Sequence, residues 1–162
     1  MQLIFTPNTK APFNLIQISP NWGLLADYDN DESKVIDHVI ERNKAVGQIP
    51  EGAPYWVIDS EDVPKDHYFF EAWEHRDNGV EVNMEKARGI HLNAIRQARN
   101  VKLALHDIPF MRAVEDGDQD AIRSISSEKQ TLRDIPQTFD VQKNIRTPAE
   151  LKAAWPEGLL RN

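Results

Sequence analysis

The sequence predicts an α+β protein, with a small antiparallel β-rich first part and a helical second part, on three observations. Tyr55-Trp-Val-Ile58 is aromatic and β-branched, and Asp77-Asn-Gly79 supplies residues that accept positive φ in a hairpin turn. From Met84 to Ile108 apolar residues recur at alternating spacings of three and four, the signature of a helix with one apolar stripe. Thr147-Pro-Ala-Glu150 combines a capping box with proline at the first helical position. The boundary falls at Asn83, giving residues 1–82 as the β-rich part with one helix and 83–162 as a helical hairpin with a C-terminal arm.

In the first part, Gln2–Thr6 and Asn14–Ile18 read as short strands. Pro7, Pro12 and Pro20 punctuate them, and proline inside a ladder confines a strand to an edge. Asp29-Asn-Asp-Glu32 opens a helix, because Asp29 and Glu32 have capping-box spacing. Val35, Ile36, Val39 and Ile40 form its apolar stripe, and Gly47 stops it. Ile49–Pro54 is a turn-rich linker. Tyr55–Ile58, Tyr68–Glu74 and Val80–Val82 are then expected to form one small antiparallel sheet over residues 54–82.

In the second part, Asn83 is expected to cap a helix over roughly 84–107. Its stripe is Met84, Ala87, His91, Ala94, Ala98, Val101, Leu105 and Ile108. Pro109 ends or kinks this helix. Glu115-Asp-Gly-Asp118 is the turn. Asp118 caps a second helix, with Ala121, Ile122, Ile125 and Leu132 on one face, which Pro136 stops. Leu105 and Ile125 are expected to face each other's helix. Thr147 then caps a short helix bearing Leu151 and Trp155, which Pro156 ends.

Composition narrows the function classes. The 162 residues suit one domain or two small ones. The chain has no cysteine, which excludes a disulfide scaffold, an iron–sulfur cluster and any cysteine-based zinc site or nucleophile. No apolar run approaches the length of a membrane span, and the first residues lack the basic and apolar regions of a signal peptide. The net charge of −7 is unevenly placed. Residues 1–82 carry 6 Lys/Arg against 15 Asp/Glu, and residues 83–162 carry 13 against 11. The first part therefore reads as an acidic solvated surface, or as one that avoids nucleic acid and meets a basic protein patch.

Catalytic constellations are not legible. His38, His67, His75, His91 and His106 have no metal-ligand spacing, and His91 on the apolar stripe reads as a packed core histidine. Asp59, Glu61 and Lys65 have the wrong spacing for a metal-dependent nuclease. No phosphate-cradling glycine loop and no nucleophile elbow occurs. The chain is accordingly expected to have no catalysis, cofactor, metal or small-molecule substrate.

One charged set has geometry. Arg88, Arg96, Arg99 and Lys102 lie within about 120° of one another on the helix. They can pair with Glu115, Asp116, Asp118, Asp120 or Glu128 across the hairpin, dock an acidic protein surface, or contact nucleic acid. The last lacks interleaved aromatics and a basic overall field. Trp56 and Trp73 read as core. Leu151 and Trp155, four residues apart on one helical face, either pack on the hairpin or anchor a partner in a groove.

A wider pattern carries a resemblance. Pro54-Tyr-Trp-Val-Ile-Asp59, Pro64-x-Asp66-x-x-Phe69-x-x-Ala72-Trp73 and Met84-x-Lys86-Ala87 are followed by Ile95-Arg96-x-x-Arg99, Leu103, Asp107 and Arg112-Ala113. Lys129-Gln-x-Leu-Arg-Asp134, Thr147-Pro-x-Glu-Leu151 and Trp155-Pro156 complete it. In order and spacing these resemble a group of tailed-bacteriophage and prophage proteins. The end region is similar to the Leu-Arg-Asp … Trp-Pro termini of tail assembly and tail-fibre accessory proteins. The likeness covers residues 54–157. His67 and Phe70 depart from it, standing where arginines are expected. The resemblance implies a non-enzymatic protein of the virion tail, or of the host cytoplasm during assembly. Its expected partner is a tail, fibre or spike protein, with self-association as a further partner class and no nucleic acid or membrane. The expected partner-binding residues are Arg88, Arg96, Arg99, Lys102, Leu151 and Trp155. The alternative is a prophage regulator or nucleic-acid-binding protein using the basic helix stripe.

Overall fold

The computed structural model describes residues 2–7, 13–18, 22–77, 79–141 and 145–161. Pro12, Pro20 and Asn78 lie outside them. The chain folds as two compact units, residues 1–83 and 84–162, and the α+β class holds.

In the first unit, β1 (Gln2–Pro7) is the centre of a three-stranded antiparallel sheet. It pairs with β2 (Phe13–Ile18) on one side and β3 (Trp56–Asp59) on the other. Pro7 therefore does not mark an edge strand. It sits beyond the last β1–β3 pair, Phe5 with Trp56, where no third strand needs its missing N–H. Between β2 and β3 run α1 (Trp22–Asp27), which no apolar period announced, and α2 (Glu32–Ala45).

The cap of α2 is Asp31, whose carboxylate accepts the N–H groups of Ser33 and Lys34. The cap lies two residues beyond Asp29 because Asp29 and Asn30 adopt positive φ, 55° and 59°, to make the preceding turn. Gly47, at φ 73°, does stop the helix.

Each face of the sheet is covered. Ile4 of β1, with its neighbour Ile16, packs against Ile36, Val39 and Ile40 of α2 and against Ile49. Ile49 is fully buried, so the linker it opens also contributes to the core. On the opposite face Leu15, Trp56 and Ile58 meet Trp73, Val80 and Val82. These last belong to a separate hairpin, β4 (Trp73–Arg76) with β5 (Gly79–Val82).

Residues 54–82 are thus not one sheet, because β3 pairs with β1. Nor is Tyr68–Glu74 a strand. His67–Ala72 winds as 3-10 turns capped by Asp66, whose carboxylate accepts the Tyr68 N–H, and β4 starts only at Trp73. A Cβ on Gly79 would lie 2.7 Å from the Asp62 carbonyl oxygen, so the close approach of that loop requires glycine.

The second unit is helical. α3 (Met84–Leu105) breaks at His106 and continues as α4 (Asp107–Glu115), with Pro109 in the first turn of α4. Gly117, at φ 69°, makes the turn, and Asp118 caps α5 (Gln119–Thr138) as expected. α5 runs two residues past Pro136. Pro136 removes only the N–H that would reach Leu132 O, and the ladder resumes beyond it, with the Phe139 N–H on Ile135 O at 2.9 Å. α6 (Pro148–Ala153) carries the full capping box.

The core of this unit holds Ile95, Ala98, Leu132 and Leu159, flanked by Leu103, Ile135, Phe139 and Trp155. Leu105 is 69% exposed, so it does not face α5. The buried positions of α3 are Ala87, His91, Ile95 and Ala98. Leu105 falls on the azimuth of the buried Ala87, about five full turns further along, so the stripe does not turn away: the buried face of α3 ends along the helix, with Ala98 its last buried position.

Candidate functional site

The C-terminal arm is the first place where sequence-derived candidates converge. Thr147 Oγ1 accepts the Glu150 N–H, and Glu150 Oε2 accepts the N–H groups of Thr147 and Arg146 at 3.0 and 2.7 Å. Those two backbone donors hold the Glu150 carboxyl below its ordinary range. With its first turn fixed, α6 presents Leu151 inward, and Leu151 is fully buried. The Trp155 indole packs on the hairpin core, donates to the Leu159 carbonyl at 2.9 Å, and lies under the Arg161 guanidinium. Arg161 also donates to the Lys152 carbonyl. Leu151 and Trp155 are therefore built into their own unit and do not project as a free docking arm.

The basic residues hold main chain. Arg88 donates to Ile145 O at 3.1 Å, Lys102 to Gly158 O at 2.6 Å and Arg99 to Arg133 O at 3.3 Å. Arg96 is exposed and reaches only Asn93 Oδ1 on its own helix. Three of the expected carboxylate partners are engaged elsewhere, Asp118 by the N–H groups of Asp120 and Ala121. Glu128 takes His106 at 3.0 Å, and Asp120 takes Arg123 at 3.7 Å. Asp107 binds Lys129 at 2.6 Å, across the hairpin. The stripe is cationic because ammonium and guanidinium groups satisfy carbonyls at the ends of packed segments, a role that residue identity in the acceptor cannot reveal.

His91 completes the arm's attachment. It is fully buried, its ring meets the Trp155 ring edge-on at 5.5 Å, and Nε2 lies 2.6 Å from the Ala154 carbonyl. A carbonyl only accepts, so Nε2 carries the proton. Burial lowers the His91 pKa below the ordinary histidine value, and the Arg161 charge adds to this. The Ala154 carbonyl opposes both.

The sign of the pH effect follows. The unfolded chain takes up this proton at about pH 6.5 and the folded chain only at lower pH. The stabilisation from neutral His91 is complete above about pH 6.5 and is lost as pH falls through that value toward the folded pKa. Urea titrations of the full chain are expected to show stability falling on acidification below pH 6.5, by at most about 1.4 kcal/mol per pH unit from this group. His91→Gln should flatten that slope. An unchanged slope in the variant would remove His91 as its source.

Three residues that the sequence placed on the core stripe, Val101, Leu105 and Ile108, are exposed in the structure, and with two further residues they form the second candidate. Val101, Leu105, Ile108, Met111 and Val114 are between 48% and 69% exposed along α3 and α4. Their helix neighbours Phe110 and Ala113 face inward, Ala113 buried and Phe110 beneath the Lys129 ammonium. Met111 and Val114 were not singled out in the sequence. The signal was their continuation of the Leu105–Ile108 spacing past Pro109.

The first unit offers an open groove of about 640 Å³ between α2 and the linker, lined by Lys44, Ile49, Gly52 and Tyr55 among others. Lys44 is held there by Glu41 at 2.8 Å and lies over the Tyr55 ring. Asp59 caps the turn after β3 by accepting the Glu61 N–H, which lowers its pKa. Among the described residues no group of three or more His, Asp or Glu side chains is arranged to hold a metal ion, and no helix is long and apolar enough to cross a membrane.

No protein-family model, curated protein or solved structure matches this chain.

Proposed function

We propose that the chain is a non-enzymatic, tail-associated protein of a tailed bacteriophage or prophage. It binds a tail, fibre or spike protein, as a virion component or as an assembly factor. The observation that carries the protein-binding part of this reading is the outward apolar stripe Val101, Leu105, Ile108, Met111 and Val114. Single exposed leucines are ordinary, but five large apolar side chains left exposed in succession along α3 and α4 are a surface that water disfavours and a partner relieves. The tail context rests on the ordered motifs of residues 54–157. The regulator reading is weaker, because Arg88, Arg99 and Lys102 are engaged by carbonyls of their own chain and the net charge is −7.

Mass spectrometry of purified particles and of assembly intermediates, after chemical cross-linking, tests this. The expected result is peptides of this chain linked through α4 to a tail or fibre protein. Recovery of the chain only with DNA, with binding that falls steeply with salt, would favour the regulator instead.

A further inference from the structure

We propose that His106 is a proton-operated clasp: as an imidazolium it ties the break between α3 and α4 to α5, and on losing its proton it lets go of one of its two anchors. The clasp rests on the geometry of the helical unit, and not on the partner or the phage context proposed above.

The break has its cause in the sequence. Pro109 has no N–H for the Leu105 carbonyl, and its ring crowds that carbonyl, so α3 cannot run on unbroken. At the break the His106 N–H turns to the Leu103 carbonyl at 3.0 Å. His106 holds the N-cap position of α4 but gives it no side-chain cap. Its ring is used elsewhere. Nδ1 lies 2.8 Å from the Lys102 carbonyl, one turn back on α3, and Nε2 lies 3.0 Å from Glu128 Oε2 on α5.

Both of these partners accept. A carbonyl has no proton to give, and an ionised carboxylate has none either. A neutral imidazole has one N–H and one bare nitrogen. In either tautomer the bare nitrogen then faces an oxygen at hydrogen-bond distance. One further proton turns both contacts into hydrogen bonds, and the bond to Glu128 is then charge-assisted. The count is the same if that proton sits on Glu128, because the pair still holds one proton more than a neutral ring beside a carboxylate.

The charged groups around the ring are few. Glu157 lines the same small cleft as His106, Glu128 and Lys102. The Lys102 ammonium is drawn to Gly158 O at 2.6 Å, and the Ser124 hydroxyl reaches the other Glu128 oxygen at 3.4 Å. Next to His106, Asp107 is paired with Lys129 of α5 at 2.6 Å. The His106 side chain is only 18% exposed, so water replaces a lost anchor poorly.

Two bridges therefore join the break to α5. Carboxylates and ammonium groups keep their charges from about pH 5 to about pH 8, whereas histidine gains or loses its charge within that range. The Asp107–Lys129 bridge is constant, and the His106–Glu128 bridge is switched. The start of α4 is held by both on the acid side and by one on the alkaline side.

A double-mutant cycle tests this. The full chain, His106→Gln, Glu128→Gln and the double variant are unfolded in urea at about pH 5.5 and about pH 8. Circular dichroism checks that each variant folds. The coupling between positions 106 and 128 is expected to be about threefold in the folding equilibrium at the lower pH and near unity at the higher. The contribution of His91 is common to the four chains and cancels. A second cycle, with Asp107→Asn and Lys129→Gln, should give the same coupling at both pH values. A coupling between 106 and 128 that is equal at the two pH values, or absent at both, would overturn the clasp. So would two cycles that respond to pH alike. In the unmodified chain, nitrogen NMR shifts of the His106 ring should report two protonated nitrogens at the lower pH, and a ring found neutral there would also overturn it.

Discussion

Deleting residues 147–161 is expected to unfold the helical unit. The deletion removes Leu151 and Leu159, at 0% and 6% exposure, and the Trp155 ring from the hairpin core. Each fully buried side chain of this size contributes roughly 1.5–3 kcal/mol. It also strips His91 and Lys102 of the Ala154 and Gly158 carbonyls. The sum is comparable with the entire stability of a small domain, about 5–15 kcal/mol. Far-UV circular dichroism of the truncated chain should show loss of helix at room temperature. The milder Leu151→Ala should fold and lose about 2–5 kcal/mol in urea. A truncated chain that melted like the full one would return the arm to a docking role.

Ile95→Ala is expected to cost about 2–5 kcal/mol, whereas Leu105→Ala should change unfolding by no more than about 0.5 kcal/mol at protein concentrations where the chain is monomeric. Ile95 is fully buried at the centre of the helical core, and Leu105 is 69% exposed. Spacing alone assigns the opposite roles, since Leu105 belongs to the 3-4 stripe and Ile95 does not. Denaturant midpoints of the two variants decide whether the buried face of α3 ends at Ala98 or runs on to Leu105. Equal losses would mean that Leu105 is covered within its own chain.

That reversal shows where the sequence was legible. Capping and turn chemistry are local, so Asp118, Thr147, Gly47 and the Asp77 hairpin could be read directly. The existence of α2, β3 and the hairpin helices followed from period. Pairing did not, because nothing in Tyr55–Ile58 distinguishes a neighbour fifty residues upstream from one twenty residues downstream. The β1–β3 ladder is a long-range choice, favoured by burial of Ile4 and Ile58 on opposite faces of one sheet. The 3-10 turns of His67–Ala72 were hidden for a related reason. Aromatic composition favours a strand, while the Asp66 cap and the packing of Phe69 select turns.

The candidate site was half legible. Arg88, Arg99 and Lys102 were legible as a set by their azimuth, but their acceptors are carbonyls of their own chain, which every residue possesses. Leu151 and Trp155 form a pair, and the choice between core and partner depends on whether a complementary surface lies within reach. His91 offers one, through Ala154 and the Trp155 ring edge. Val101, Leu105 and Ile108 were visible as periodicity, though not their exposure, and Met111 and Val114 beyond Pro109 were not singled out.

The central claim is that α4 presents a protein interface while the arm belongs to the core. Ile108→Asp tests it most directly, with helix content and assembly measured on the same sample. Ile108 is 64% exposed, so an aspartate there meets water in the free chain and would be buried in a complex. The account predicts an unchanged far-UV spectrum together with loss of the cross-links from α4 to a tail or fibre protein. Association that survived the substitution with helix content intact would contradict it.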